Sequence, residues 1–336
     1  MTKLDKHLLI VKYQVFSIVK FNPMPHFPFL SHLAFTRLRI TFEAVEAIVL
    51  PPYKGSAFRG CLGEALRAEV CDYRGGECDH CPKRFACAFS RLFNSYVEPS
   101  HPHHRKYTKS PHPYIINPLP DHRTEFEPGH TFGFELTLVG KAAELLPAIL
   151  SAVRRMGETG IGKGRKSFKA IRLEALNNRL EYEALSYFST PCSLMLHHLA
   201  PPTAGHTLHI ELENPLRLMQ KGKPGIAPPA FDLFAARVAL RMALLAHFYC
   251  DAPWWEPPVA DAPTGIQLSH AQVQEVNWQR YSGTQDTTMS FDGLVGQLTY
   301  RGENLAAWMP LLTMGSWLHA GATATFGLGR YSLAVE

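Results

Sequence analysis

The chain has 336 residues, 46% of them hydrophobic and 11% aromatic, and a formal net charge of +5 that leaves its 17 histidines uncounted. That is enough apolar material for two packed cores, and the mild positive charge admits a nucleic-acid partner where cations cluster on one face. The first apolar run, residues 8–21, is broken by Lys12 and Lys20 and has no small-residue cleavage site after it. This argues against a signal peptide and a membrane span. The seven cysteines are therefore expected in a reducing cytoplasm, where clustered thiols favour metal over disulfide.

Residues 1–32 form an extension rich in Pro and Phe. A first unit is expected over residues 33–180. It opens with the alternation Leu33, Phe35, Leu38, Ile40, Phe42, which reads as a half-buried strand stopped by Pro51-Pro52. Phe58, Leu62, Leu66 and Val70 then recur at helical spacing. A cysteine-rich insertion occupies 71–93, and a loop of His, Pro and Lys residues spans 101–113. Short strands at 114–116 and 131–139 lead to a helix at 142–156, a glycine loop at 157–166 and a strand through Phe168, Ile171 and Leu173.

A linker is expected at 181–206, and a second unit at 207–336. That unit starts with Leu208-His-Ile-Glu-Leu212, and its helix over 230–249 places Phe231, Phe234, Val238, Met242 and Leu245 on one side. A Pro- and Trp-rich loop precedes strands near 266–278 and 288–300. A helix at 305–318, a glycine loop at 321–330 and a strand through Tyr331 and Leu333 finish the chain. Helix, glycine loop and final strand thus occur twice, the mark of an internal duplication. Each unit reads β-α-β-β-α-β, so the fold class is α+β: two tandem ferredoxin-like, RRM-like domains with glycine-rich loops and a small four-cysteine insertion.

Cys71, Cys78, Cys81 and Cys87 are spaced C-x6-C-x2-C-x5-C. Four thiolates with a tight C-x2-C pair suit one tetrahedral, structural zinc with no open position. An iron–sulfur cluster uses the same ligands, His80 could replace one of them, and the bland alternative is four reduced thiols. Gly157 to Lys163 satisfies G-x-x-x-x-G-K, but Gly164 follows where a magnesium-binding hydroxyl is needed, and the loop runs from helix to strand rather than the reverse. With Gly160, Gly162, Lys163, Arg165 and Lys166 it suits an extended phosphate backbone better than a triphosphate; the alternative is a structural turn with a solvated basic flank. Gly321, Gly327, Gly329 and Arg330 form the matching set at the C-terminus. Arg59 on the first helix, and Arg237 and Arg241 on the second unit's long helix, are further candidates for lining RNA.

RNA cleavage without a metal needs a base, an acid and cations. The 101–113 loop supplies His101, His103, His104 and His112 among Arg105, Lys106 and Lys109. A solvated His-Pro connection would look the same. Tyr53 and Lys54, just ahead of the first helix, form a second candidate catalytic pair, and a plain turn is the alternative. His319, before the last glycine loop, reads as a helix-end cap.

Thr325-Phe-Gly-Leu-Gly-Arg-Tyr331, Met156-Gly-Glu-Thr-Gly-Ile-Gly-Lys163, Pro52-Tyr-Lys-Gly-Ser-Ala-Phe-Arg-Gly60 and Asn214-Pro-Leu-Arg-Leu218 together resemble the CRISPR-associated endoribonucleases of the RAMP superfamily, which cut precursor crRNA within each repeat. The four-cysteine insertion resembles a subset of that family. The resemblance implies binding of CRISPR repeat RNA and a cut that uses no catalytic metal, in which the 2′-OH attacks the adjacent phosphate to leave a 2′,3′-cyclic phosphate and a 5′-OH. The family's histidine lies in or soon after the first helix, which has none here. The nearest downstream candidates are His101, His103 and His104, with His104 preferred for its neighbours Arg105 and Lys106. Ala322 stands where a lysine is common. Both departures favour the alternative of a non-catalytic RNA-binding RAMP subunit in a CRISPR effector complex; a redox or iron–sulfur protein would leave the glycine loops unexplained.

Overall fold

The computed structural model describes residues 26–73, 77–186, 189–202, 205–220, 222–256, 265–277, 279–282 and 287–336; the apolar run at 8–21 and the Gly75-Gly76 turn lie outside these. The first unit is built from β1 (Ala34–Ala44), α1 (Gly55–Val70), α2 (Ala88–Phe93), β2 (Tyr114–Pro118), β3 (Thr131–Val139), α3 (Leu146–Thr159), β4 (Phe168–Leu176), β5 (Tyr182–Ala184) and β6 (Leu194–Met195). The second is built from β7 (Thr207–Leu216), α4 (Phe231–Tyr249), β8 (Gln267–Val276), β9 (Gly293–Arg301), α5 (Met309–Leu318) and β10 (Tyr331–Val335). The sheet orders are β2-β3-β1-β4-β5 and β8-β9-β7-β10, every pairing antiparallel. Leaving out the short β5, both sheets place their first and third strands at the centre, the ferredoxin-like arrangement.

Two differences from the sequence reading have plain causes. The helices expected at 142–156 and 305–318 each begin as a 3-10 turn, Gly140–Leu145 and Leu305–Trp308, and become α-helical only at Leu146 and Met309. Pro147 and Pro310 lack the N–H that a helix interior needs, so each sits in the first turn of a restarted helix. Part of the stretch expected as a linker joins the first sheet. β4 covers β1 only from Leu38 onward, which leaves Ala34 and Phe35 unpaired on that edge until Met195 and Leu194 of β6 take them.

Alternation along β1 decides what each face of the first sheet meets. Leu38, Ile40 and Phe42, with Phe134, Leu136 and Leu138 of β3, pack under Phe58 and Leu62 of α1 and Ile149 and Val153 of α3. Part of the opposite face is covered too. Phe35, Ile115, Val139 and Leu194 belong to one apolar core with Phe234, Val238 and Met242 of α4 and Leu311, Leu312 and Leu318 of α5. Phe29 and Leu30, from the Pro- and Phe-rich extension, complete it. The second unit's own strand residues Leu208, Ile210 and Leu212 enter the same core. One sheet's spare face and the other unit's helices therefore share a single interior, which makes the units mutually dependent.

Within that interface lies a charged hub. Arg37 donates from Nε to Thr137 Oγ1 (3.0 Å) and from a terminal nitrogen to the Trp317 carbonyl (2.7 Å), with its guanidinium 4.5 Å from the Trp317 ring. Glu135, 8% exposed, accepts from Arg39 (3.0 Å) and the Tyr182 hydroxyl (2.7 Å), and Arg330 of the second unit stands 4.0 Å away. Burial alone would raise the Glu135 carboxyl, but Arg37, Tyr182, Arg39 and Arg330 bring it below its ordinary value. Removing the carboxylate strands Arg37 and Arg39 without a counter-charge. Glu135→Leu is expected to lower unfolding free energy by about 3–5 kcal/mol, whereas replacing Arg37, Arg39 and Glu135 together with apolar residues recovers most of it. Urea unfolding of both variants checks this, and a Glu135→Leu loss below about 1 kcal/mol would show that the hub is not a working ion cluster.

Candidate nucleic-acid interface and active site

The C-terminal glycine loop is seated against the start of α1. Tyr53 donates its hydroxyl to the Phe326 carbonyl, and a Cβ at Gly55 would stand 2.1 Å from that same oxygen. Gly327, at φ +87°, has the Ile116 carbonyl 2.7 Å from where its Cβ would be, and Asn214 Nδ2 donates to its carbonyl (2.8 Å). Gly329 comes so close to Ala320 that any side chain would strike the carbonyl at 1.8 Å. These glycines are therefore explained by backbone meeting backbone. Several loop amides are also engaged inside the protein: Ala322 donates to Arg217, Gly327 to Ala324 and Gly329 to Pro215. Of the candidate glycines, Gly327 and Gly329 thus have their N–H groups engaged inside the protein.

Tyr53 and Lys54 hold this joint. Burial pushes the Tyr53 phenol above its ordinary range. Lys54 is 2% exposed and donates to the Asp121 carbonyl (2.7 Å), and its burial lowers the ammonium pKa. Both side chains are spent on fixing the turn ahead of α1.

The first glycine loop has most of its cations matched. Gly160 and Gly162, at φ +78° and +74°, let the loop close on the Arg165 and Val49 carbonyls. Arg165 pairs bidentately with Glu64 of α1 (2.9 and 2.8 Å), Lys166 with Glu46 (3.1 Å) and Lys169 with Glu43 (2.7 Å). Glu46 also accepts from the Ser167 hydroxyl and amide; these and Lys166 hold its carboxyl down to about 2. Lys163 is exposed and makes no ion pair with a described carboxylate. Arg330, in the other loop, pairs with Glu213 (2.7 Å).

Cations without carboxylate partners gather instead between the units. The Arg59 guanidinium lies between the rings of Phe326 (4.6 Å) and Phe93 (5.3 Å), with its Nε buried and unpartnered. His112 sits among Arg59, Arg241 and Lys109; burial and then these cations drive its pKa down to about 4. Its Nδ1 is 2.9 Å from Ser95 Oγ, whose proton is directed to the Leu92 and Arg91 carbonyls (3.3 Å each). With Ser95 accepting from Nδ1–H, the Nε2 lone pair would be the basic position. His112 stood in the sequence as one histidine of four; its pairing with Ser95 joins residues that nothing local links.

His101 and His103 go elsewhere. His103 stacks on Trp254 (3.7 Å between centroids), and both rings pack around His247 of α4, His101 at 5.3 Å and His103 at 5.6 Å. Burial and the neighbouring imidazoles lower the His101 pKa. His104 Nδ1 is 3.0 Å from the Val97 carbonyl. These histidines clamp the 101–113 loop to the second unit.

Cys71, Cys78, Cys81 and Cys87 line one small cavity of about 20 Å³, shared with Arg67 and Phe89. Among the described residues, however, no three metal-capable side chains are grouped to hold an ion, and Cys71 Sγ points to the Tyr73 carbonyl (3.5 Å). The assembled four-thiolate site expected from the spacing is thus not found. Nor is any described helix long and apolar enough to cross a membrane.

Comparison with known proteins agrees with this architecture. Residues 210–331 match the family model of the CRISPR-associated endoribonuclease Cas6, and residues 32–187 match one described as an N-terminal domain, AF_1859_N. An uncharacterized protein of Archaeoglobus fulgidus is 22% identical over 299 residues, covering 84% of this chain and 92% of that one. Among solved structures, a Cas6 product complex superposes with a TM-score of 0.53 at 14% identity, over 89% of this chain and 100% of the other. Thermus thermophilus Cas6 gives 0.51 at 12%, over 90% and 99%. A partial Cas6-RT-Cas1–Cas2 complex gives 0.54 at 12%, over 90% of this chain but only 46% of that longer one. At such identities these likenesses establish the fold.

The buried imidazoles carry a pH signature. His112 and His319 have folded pKa values depressed below the unfolded value near 6.5, so the unfolded chain binds more protons in that range. Their contribution is complete above about pH 6.5 and is lost as pH falls toward 4. Between about pH 6.5 and 5 the carboxylates stay ionised in both states, so destabilisation in that window belongs to histidine. The urea midpoint is expected to fall from pH 7 to pH 5, and His112→Asn should flatten the slope. An unchanged slope would mean that His112 is solvated.

Proposed function

We propose that this chain, a Cas6-type endoribonuclease of the RAMP superfamily, cuts precursor crRNA in the cleft where Arg59, His112 and Arg241 meet beside the C-terminal glycine loop. The observation that carries the reading is this group of cations without carboxylate partners around one imidazole, whereas Arg165, Lys166, Lys169 and Arg330 each pair with a glutamate. A scissile phosphate entering between Arg59 and Arg241 supplies the missing counter-charge. It also offsets the cationic repulsion that adds to burial in holding the imidazole pKa low, so His112 becomes a stronger base once RNA is bound. His112 Nε2 takes the 2′-OH proton, the 2′-oxygen bonds to phosphorus, and the P–O5′ bond breaks. The 5′-oxygen leaves and takes a proton from water, giving a 2′,3′-cyclic phosphate and a 5′-OH. The residues placed at the cleft supply a base and two cations for this step, so a catalytic metal has no assigned part in it. This reading replaces His104 with His112 as the base, and assigns Tyr53 and Lys54 to holding the loop.

The test is cleavage of a CRISPR repeat RNA in EDTA, read on a denaturing gel with end-group analysis. His112→Ala should slow the cut by about 10²–10⁴-fold while RNA affinity moves by less than about threefold, and His104→Ala should cut near the wild-type rate. The reverse pattern would move the chemistry to His104. A wild-type protein that binds repeat RNA and leaves it whole in both EDTA and magnesium would instead be a non-catalytic RAMP subunit of an effector complex.

For the insertion we propose one structural zinc held by Cys71, Cys78, Cys81 and Cys87. Support comes from four soft donors facing one cavity and from their spacing. Elemental analysis of purified protein should give about one zinc per chain, falling to none in a Cys78→Ser/Cys81→Ser variant. Iron with a brown colour would assign a cluster instead, and neither metal would leave four free thiols.

A further inference from the structure

A cavity of about 210 Å³ opens beside Arg241. Arg217, Arg237 and Arg241 line it, with Leu240, Leu244 and Gly321. Arg217 follows β7, and Arg237 and Arg241 stand one turn apart on α4, so two elements deliver three guanidinium groups to one place. None of the three forms an ion pair with a described carboxylate.

Their anchoring is specific. Arg241 donates from Nε to the His319 carbonyl (3.1 Å) and the Leu318 carbonyl (3.3 Å) at the end of α5. That fixes the side chain and leaves a terminal nitrogen buried and unpartnered. Arg217 Nε is likewise buried without an acceptor. The Arg217 backbone is held by the glycine loop: its carbonyl accepts from Ala322 N–H (2.9 Å), and a Cβ at Gly321 would stand 2.5 Å from that oxygen. Burial drives the Arg241 guanidinium pKa down to about 10, the direction expected of a cation kept from both water and a counter-ion.

Two buried cationic N–H groups without acceptors, on arginines that line one cavity, call for an acceptor with several anionic oxygens that arrives from solution. Phosphate meets that description, and the apolar flank of Leu240 and Leu244 suits an attached sugar rather than a free inorganic ion. We propose that this cavity is a phosphate subsite that grips an internucleotide phosphate of the RNA strand a short way from the scissile one, with the ribose against Leu240 and Leu244. This inference rests on the reading of the chain as an RNA-cutting enzyme and extends it. Arg241 spans both sites, while Arg217 and Arg237 serve the subsite alone.

The test variant is therefore Arg217→Ala/Arg237→Ala, which leaves Arg59, His112 and Arg241 in place. Repeat RNA should bind at least about tenfold more weakly, with a plot of log Kd against log salt shallower by about 1–2. Single-turnover cleavage at saturating RNA should keep its wild-type rate. A methylphosphonate walked along the repeat should locate one linkage whose neutralisation weakens wild-type binding but not that of the double variant, and Arg217→Lys/Arg237→Lys should recover part of the affinity. Unchanged affinity and salt slope in a folded alanine variant would overturn the subsite while leaving cleavage by His112 intact. Normal cleavage by His112→Ala alongside weakened binding in the arginine variant would overturn the catalytic assignment and leave the subsite standing.

Discussion

Close approach of bare backbone between the two units is the constraint on which the remaining geometry depends. Gly55 at the head of α1 and Gly327 in the last loop let main chain rest on main chain, and the Tyr53 hydroxyl closes the joint on the Phe326 carbonyl. Without that contact Arg59 would lose the Phe326 ring it lies against, and the last loop would lose its seat on the first unit. Backbone contacts of this kind tolerate little adjustment, since a methyl group at either glycine would collide with a carbonyl as well as with the Tyr53 side chain.

Charge is distributed unevenly over this frame. Around the first glycine loop each of Arg165, Lys166 and Lys169 has its own glutamate, and exposed pairs like these contribute little to stability. They do remove net positive potential from that surface. Around the last loop Arg330 pairs with Glu213, whereas Arg59, Arg217 and Arg241 have backbone, rings or nothing as partners. The two loops look alike as strings of glycine and basic residues, yet an approaching polyanion would find a neutralised surface at one and a cationic one at the other.

Much of the architecture was legible in the chain. Alternation in β1, the helical spacing of α1 and α4, and the repeated order of helix, glycine loop and strand all led to the observed sheets, because local periodicity reports which face is buried. The prolines at 147 and 310 were visible too, and their effect on the start of each helix follows from a missing N–H. The site was less legible. Nothing near Arg165 announces that Glu64, on a different element, will cancel it. Nothing near His112 marks it off from His101, His103 and His104, which turn toward Trp254, His247 and the Val97 carbonyl. Pairings between distant residues are set by tertiary packing, and a single sequence holds no record of them. Glycine was also misleading in one respect: closeness of backbone is readable from it, but what the backbone is close to is not.

The covered face of the first sheet bears on how such a protein arises by duplication. Phe35, Ile115, Val139 and Leu194 lie against the helices of the other unit, whereas among the described residues of the second sheet's central strand Glu211 is exposed and His209 half-buried. The two copies have therefore drifted into unequal trades, one lending a surface and the other its helices. Neither could be excised intact or exchanged for a second version of its twin, so the ancestral symmetry survives in strand order while the chain now behaves as one inseparable body.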